Sequence, residues 1–395
     1  MPNGNFLLPI EVIFHLHGHA IMGGAISSGK AEPTSRLFCT MRPLLLACIL
    51  VTLACPVHAQ FGVFLRKILI GDTAAPPNYD TAYITTYKQH LTLSAVSSYR
   101  IVSFDITDTL QHAVTWSTNN VTQYGAALDF KWLSVEATFS VPALDAADPA
   151  YGSTRSRGVG VGFTGRRLWF RGFWNTSAGF YAEQPQALVE GWKNTDPWPY
   201  RKDLEAETWM GSLNYALSKK RRFSQVAALT QMERQKRSAG TWVAGASFWL
   251  TRLSADSTLV PLTDSLAFAP EAGIVKARRT LLGASIGYSH TFVFWHKAFI
   301  HFSLLTGAAS SDQVRHLQGD VKLPAERGLS SLTEFKGGLG FNGDRWYTAL
   351  TTAFYYNSDA DDKKVSLGST YGTVRFAVGY RFGRPNIKGL EKLGL

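Results

Sequence analysis

The ten residues from Thr373 to Phe382, TVRFAVGYRF, constrain this chain more than any other stretch. Successive side chains of an extended strand point to opposite faces. Val374, Phe376, Val378, Tyr380 and Phe382 therefore share one face, and Thr373, Arg375, Ala377, Gly379 and Arg381 the other. A soluble sandwich would cover the apolar face with a second sheet. A strand near the C-terminus, behind a secretory leader and ending on an aromatic, fits the closing strand of an outer-membrane barrel.

The leader reads from Met41: Arg42 supplies the positive region, Leu44 to Ala54 the apolar stretch, and Val57-His58-Ala59 a small-residue cleavage site before Gln60. Residues 1 to 40 then read as an upstream extension from a mis-assigned start, 60 to 88 as an N-terminal segment, 89 to 382 as the barrel and 383 to 395 as a tail. Cys39, Cys48 and Cys55 all precede the cleavage site, which excludes disulfides, a thiol nucleophile and cysteine metal ligands from the mature chain. Mean hydropathy of −0.05 is too low for a helical membrane bundle, so a span would be made of strands. The net charge of +11 is scattered without a nucleic-acid motif. Lipopolysaccharide and other outer-membrane lipids are the expected partners, with Lys219, Lys220, Arg221 and Arg222 in a turn either as their contact or as a solvated loop; protein partners are left open and no cofactor is implied.

From about residue 89 onward, alternating segments of roughly ten residues are separated by Gly, Asn, Asp and charged clusters. Tyr124, Ala126, Leu128 and Phe130 oppose Gln123, Gly125, Ala127, Asp129 and Lys131, and Leu133, Val135, Ala137 and Phe139 oppose Ser134, Glu136 and Thr138, which makes a hairpin with a polar inner side. Aromatic pairs such as Phe173-Trp174, Phe248-Trp249 and Tyr355-Tyr356 suit headgroup-level girdles. The fold expected is all-β, a single antiparallel transmembrane β-barrel of about fourteen strands, twelve to sixteen being tolerable. The alternation of long loops with short turns breaks between residues 176 and 253.

Asp129, Lys131, Glu136, Arg171, Arg375 and Arg381 are candidates to line the lumen, together with Gln231, Glu233 and Gln235 on one face of a strand whose other face carries Val226, Ala228, Thr230 and Met232. They would serve either as a selectivity lining or as charge pairs filling a narrow barrel. His301 and Ser303, two apart on one strand, resemble the His-x-Ser pair of lipid A deacylases, in which histidine activates serine. Here Ile300, Phe302 and Leu304 claim the lipid side and send the pair inward, with no third residue to name. The glycines of Arg157 to Phe163, RGVGVGF, leave one face bare for a bulky neighbour.

The segment from Tyr215 to Gly245 resembles the Bacteroidota family known as domain of unknown function 4421, through Phe223-Ser224, Gln231, Gln235, Lys236, Ser238, Ala239 and Gly240. Gln225 stands where that pattern has an aromatic, and Thr241 where it has a serine. Further matching pieces are Tyr79 to Ile84, Leu91 to Arg100, Tyr124 to Pro142 and Gly179 to Tyr181. The resemblance implies a secreted outer-membrane barrel and no known activity. The expectation is a non-enzymatic barrel of the cell outer membrane, structural, adhesive or a small-solute pore; the alternatives are a barrel lipid esterase built on His301 and Ser303, and a soluble periplasmic β-protein.

Overall fold

The computed structural model describes residues 79–385 apart from 109–111, 120, 142–143, 145–147, 166, 219–220, 261–267 and 360–364. The leader, the upstream extension and the three cysteines lie outside the described residues. The described residues all belong to one compact unit.

After the short β1 (Ile84–Thr86) come β2 (Thr92–Asp108), β3 (Ala113–Ser117), β4 (Val121–Phe130), β5 (Leu133–Ser140), β6 (Arg155–Thr164), β7 (Leu168–Ala182) and β8 (Tyr200–Ala216). A single helical turn α1 (Val226–Leu229) and β9 (Glu233–Gln235) interrupt the series. β10 (Ala239–Ser254), β11 (Ile274–Phe294), β12 (Ala298–Leu317), β13 (Val321–Lys322), β14 (Glu326–Asn342), β15 (Trp346–Asp359) and β16 (Val365–Arg381) complete it.

Among the described residues one antiparallel sheet holds fourteen strands, and it closes on itself: β2 pairs with β16 from Thr92↔Arg381 to Asp108↔Val365, and β11 pairs with β12. Twelve strands go around the wall. β3 continues β4 upward along β2, and above the shorter β5–β6 hairpin it pairs with β7 at Tyr181 and Ala182; β13 is an edge addition to β12. The other two strands, β1 and β9, pair only with each other.

Short turns join β4 to β5, β6 to β7, β11 to β12 and β14 to β15 at one end. Long connections join β5 to β6, β7 to β8 and β10 to β11 at the other. The irregularity in this alternation is the segment 217–238, which leaves the short-turn end after β8, turns into the lumen as α1 and β9, and returns as β10. The sequence pattern at Gln231, Glu233 and Gln235 is thus no barrel strand: Gln231 has φ 55°, and only Glu233–Gln235 is extended.

Polarity inverts along the staves. In its lower part β2 turns Leu93 outward and Ser94, Ser98 and Arg100 inward; in its upper part Val102, Phe104 and Ile106 point inward and Asp105 and Thr107 outward. β16 does the same, with Phe376 and Val378 outside below and Leu367 and Val365 inside above. A crossing strand needs only about 9–11 residues, and β11 and β12 have 21 and 20. The lower half is therefore built for a lipid surround with a polar inside. The upper half follows soluble-protein rules: Phe104, Trp116, Phe180, Leu204, Trp249 and Leu253 pack together inside the wall, joined by Leu259, Val260 and Phe268 of the β10–β11 loop. A hydrophilic interior throughout was the expectation; once the wall rises clear of lipid, its outer face meets water, and burial of apolar surface has to take place inside. For the same reason Phe173, Trp249 and Tyr355 face inward rather than joining the outward girdle.

Candidate functional site

The short-turn end of the lumen is stopped by the in-folded segment. β9 pairs with β1, and Glu233, 1% exposed, lies at the centre of this floor. Arg221 Nη2 donates to both Glu233 oxygens at 2.6 Å, Ser224 Oγ donates at 2.6 Å, and Lys88 Nζ lies 3.1 Å away. Burial by itself would push the Glu233 carboxyl up, but Arg221 and Lys88 outweigh it and hold its pKa at about 2. Gln235 Oε1 accepts from the Ser224 backbone N–H at 2.9 Å, and its Nε2 donates to the Arg222 and Arg237 carbonyls.

The floor is stitched to the wall. Arg381 of β16 donates to the Gln231 carbonyl and to Asn342 Oδ1, both at 2.6 Å, while its guanidinium lies 3.9 Å from the Tyr87 ring centroid. Asn342 Nδ2 donates to the Ala227 and Glu233 carbonyls at 3.2 and 2.9 Å. Phe223 stacks on the His301 ring at 6.1 Å. Outside, Asp344 in the β14–β15 turn accepts from Lys297 and Arg234, which keep its carboxyl low, at about 2.

Above α1 lies a cavity of 130 Å³, room for a few waters, with Val226, Leu229 and Thr230 as its floor. Its wall carries a charge network: Glu136 Oε2 accepts from Arg375 Nε at 2.8 Å and Arg171 Nη2 at 3.4 Å, and Lys336 pairs with Glu334. Arg100 donates to Asn175 Oδ1 at 2.9 Å and Thr138 Oγ1 at 2.8 Å, over the Phe173 ring. The glycines of β6 make this possible. A Cβ on Gly158 would overlap the Arg100 guanidinium, and one on Gly160 would sit 3.3 Å from Arg171. The apolar cluster closes the upper end, with Arg279 and Asp359 paired within it at 2.7 Å.

Of the residues singled out from sequence, Asp129, Glu136, Arg171, Arg375 and Arg381 point into the barrel from its strands. Gln231, Glu233 and Gln235 are inside as part of the floor, not of the wall. Lys131 is not in the lumen: it occupies the β4–β5 turn with φ 52°, its ammonium 5.5 Å from the Phe130 ring centroid, because the alternation ends where the chain reverses. The four-cation run also differs from expectation. Arg221 is buried against Glu233 and Arg222 pairs with Asp80 at 3.1 Å, so neither is a free headgroup contact; Lys219 and Lys220 lie outside the described residues. Sequence reasoning missed Arg100, Glu334 and Lys336, although their inward parity on alternating strands is legible.

His301 and Ser303 face inward, 2% and 0% exposed, and each bonds across to β11: His301 Nδ1 to Thr291 Oγ1 at 2.9 Å, Ser303 Oγ to Ser289 Oγ at 2.6 Å. Neither is directed at the other, and the group stacked on His301 is Phe223 rather than an acid. Among the described residues no group of three or more His, Cys, Asp or Glu is placed to hold a metal ion.

The profile of one sequence family matches residues 78–382, which include the floor, the wall and the closing strand. The chain belongs to that family, the domain of unknown function DUF4421. No curated protein matches the sequence. Solved structures similar to this DUF4421 chain include the outer membrane protease OmpT of Escherichia coli, at 8% identity and TM-score 0.36, over 75% of this chain and 98% of that one. The β domain of the Bordetella autotransporter BrkA shares 10% identity at TM-score 0.34, over 73% and 99%. The translocator domain of the autotransporter NalP of Neisseria meningitidis shares 10% at TM-score 0.30, over 74% and 89%. Nothing about activity follows from likeness at this level.

Proposed function

We propose that this DUF4421 protein is a non-enzymatic barrel of the outer membrane with a sealed lumen, acting structurally or as an adhesin through its long loops. The observation that carries the reading is that the interior is occupied along its length: the Glu233-centred floor below, the Glu136–Arg375 network in the middle and the apolar cluster above. A twelve-stave barrel is wide enough to be either open or blocked, so its filling decides between pore and non-pore. The outward apolar belt supports the membrane placement, and the loop asymmetry supports short turns on the periplasmic side. An esterase is disfavoured because His301 and Ser303 are spent on separate hydrogen bonds inside the wall. Single-channel recording in planar bilayers tests the reading. The sealed barrel is expected to give no conductance steps above background; steady steps would replace it with the pore reading.

A further inference from the structure

The outer wall from β6 to β12 holds a feature that a sealed structural barrel does not need. Across the hydrogen-bonded register, Val161, Gly172, Gly211, Phe248 and Leu282 form one outward row. The Phe170 ring lies over the paired glycines Gly172 and Gly211, and beside it, where Ala246 is small, an apolar groove of 680 Å³ remains. One row higher stand Trp174 and Trp209, register partners with ring centroids 5.9 Å apart. In the next row are Arg157, Glu207, Arg252 and Arg278, and above it Arg155 and Lys276, with Lys322 beside them on β13. These upper rows line a second groove of 960 Å³.

Six cations thus face two carboxylates, Glu205 and Glu207. Glu207 is already engaged: it accepts from both tryptophan indoles, at 3.1 and 3.0 Å, and from Arg252 at 2.6 Å. Among the described residues Arg155, Arg157, Lys276, Arg278 and Lys322 have no carboxylate within ion-pair distance. Arg278 Nε is buried without a partner. The band is local, since the outward positions of β2, β4, β5, β15 and β16 carry no cation. Its height is fixed by the polarity inversion. Each outward row lies about 5 Å further along the membrane normal, from two residues of rise at roughly 45° tilt. Along any one strand the first cation therefore stands about 10 Å above the residue that lines the groove, with the tryptophan pair between them, while the rows themselves climb obliquely by about 3 Å per strand at that tilt.

We propose that this wall binds a phosphorylated glycolipid carrying several acyl chains, of the lipid A kind, with an acyl chain in the glycine groove and the sugar phosphates on the arginine rows. Arginine presents a planar fork that matches phosphate. From Arg157 on β6 to Arg278 on β11 the band runs obliquely over four strand spacings, about 19 Å, which at the same tilt is about 13 Å across the membrane plane and about 13 Å along its normal, broader than one phospholipid phosphate requires and suited to a headgroup with two. The inference rests on the outer-membrane reading, with the long-loop end outside.

The test is native mass spectrometry of the full chain in detergent, with bisphosphorylated lipid A, its dephosphorylated form, phosphatidylglycerol and inorganic pyrophosphate as probes. Recovery from washed membranes and heat-modifiable gel mobility establish placement and folding separately. Retention of bisphosphorylated lipid A is expected to exceed that of the dephosphorylated form and of phosphatidylglycerol about tenfold. It should fall about tenfold in the double variant Arg157→Glu/Arg278→Glu, and severalfold in Ala246→Trp, which fills the groove. Unchanged retention in both folded variants overturns the site, as does pyrophosphate or phosphatidylglycerol binding as tightly as lipid A. Absence of the protein from washed membranes would instead overturn the placement.

Discussion

Replacing Glu233 with glutamine removes one negative charge from beneath Arg221 and Lys88 while keeping the side chain's size. Arg221 and Glu233 have side chains 8% and 1% exposed, so the guanidinium loses its counter-ion where water cannot replace it. Breaking a buried pair from one side costs about 3–5 kcal/mol. The depressed pKa gives a similar figure by a separate route: a fall from 4.5 to about 2 corresponds to about 3 kcal/mol at neutral pH. Because the folded pKa lies below the unfolded one, this stabilisation is complete above about pH 4.5 and is lost as pH falls toward 2. The assay is urea unfolding in detergent micelles, followed by tryptophan fluorescence at pH 7 and at pH 3. Glu233→Gln is expected to lose about 3 kcal/mol at pH 7 and to differ less from the parent at pH 3. Asp344→Asn is the control, since that carboxylate is 63% exposed and exposed pairs contribute about 1 kcal/mol or less. A loss in Glu233→Gln no larger than in this control, or one independent of pH, would refute the reasoning.

Gly158→Val should displace Arg100 from Asn175 and Thr138 and cost about 1–3 kcal/mol, measured by the same unfolding assay. Leu350→Lys places a charge on the outward belt, at a residue 39% exposed, and is expected to lower the free energy of unfolding in lipid vesicles by about 2–4 kcal/mol; a stability equal to the parent's would contradict the belt. His301→Ala should leave lipid acyl patterns in the parent membrane unchanged, read by mass spectrometry of extracted lipid. A changed pattern would revive the esterase reading.

The lower half of the barrel was legible because period-two alternation and lipid exposure say the same thing: Phe376 and Val378 outside, Arg375 inside. The upper half was not. Val365, Leu367 and Tyr371 keep the same parity as Arg375, but the polarity of the two faces exchanges at the point where the wall leaves lipid, and a single-rule reading cannot see that boundary. The floor was misread for a related reason. Gln231, Glu233 and Gln235 alternate with apolar neighbours, yet a helical turn followed by three extended residues inside a polar lumen produces the same pattern as a wall strand. The broken loop alternation between residues 176 and 253 was the available signal, since a long connection on the short-turn side has to go somewhere. Lys131 illustrates the smaller error of extending parity one residue into a turn.

Thiol accessibility tests the filled lumen most directly. A chain beginning at Gln60 contains no cysteine, so Ala228→Cys, at a position 0% exposed within α1, and Trp346→Cys, at one 60% exposed at the short-turn rim, each carry a single reporter. In proteoliposomes permeabilised on both sides, a hydrophilic maleimide should modify the rim cysteine rapidly and leave residue 228 protected until the protein is unfolded. Comparable labelling rates at the two positions would mean that water reaches the barrel interior past the in-folded segment, and that the lumen is not sealed.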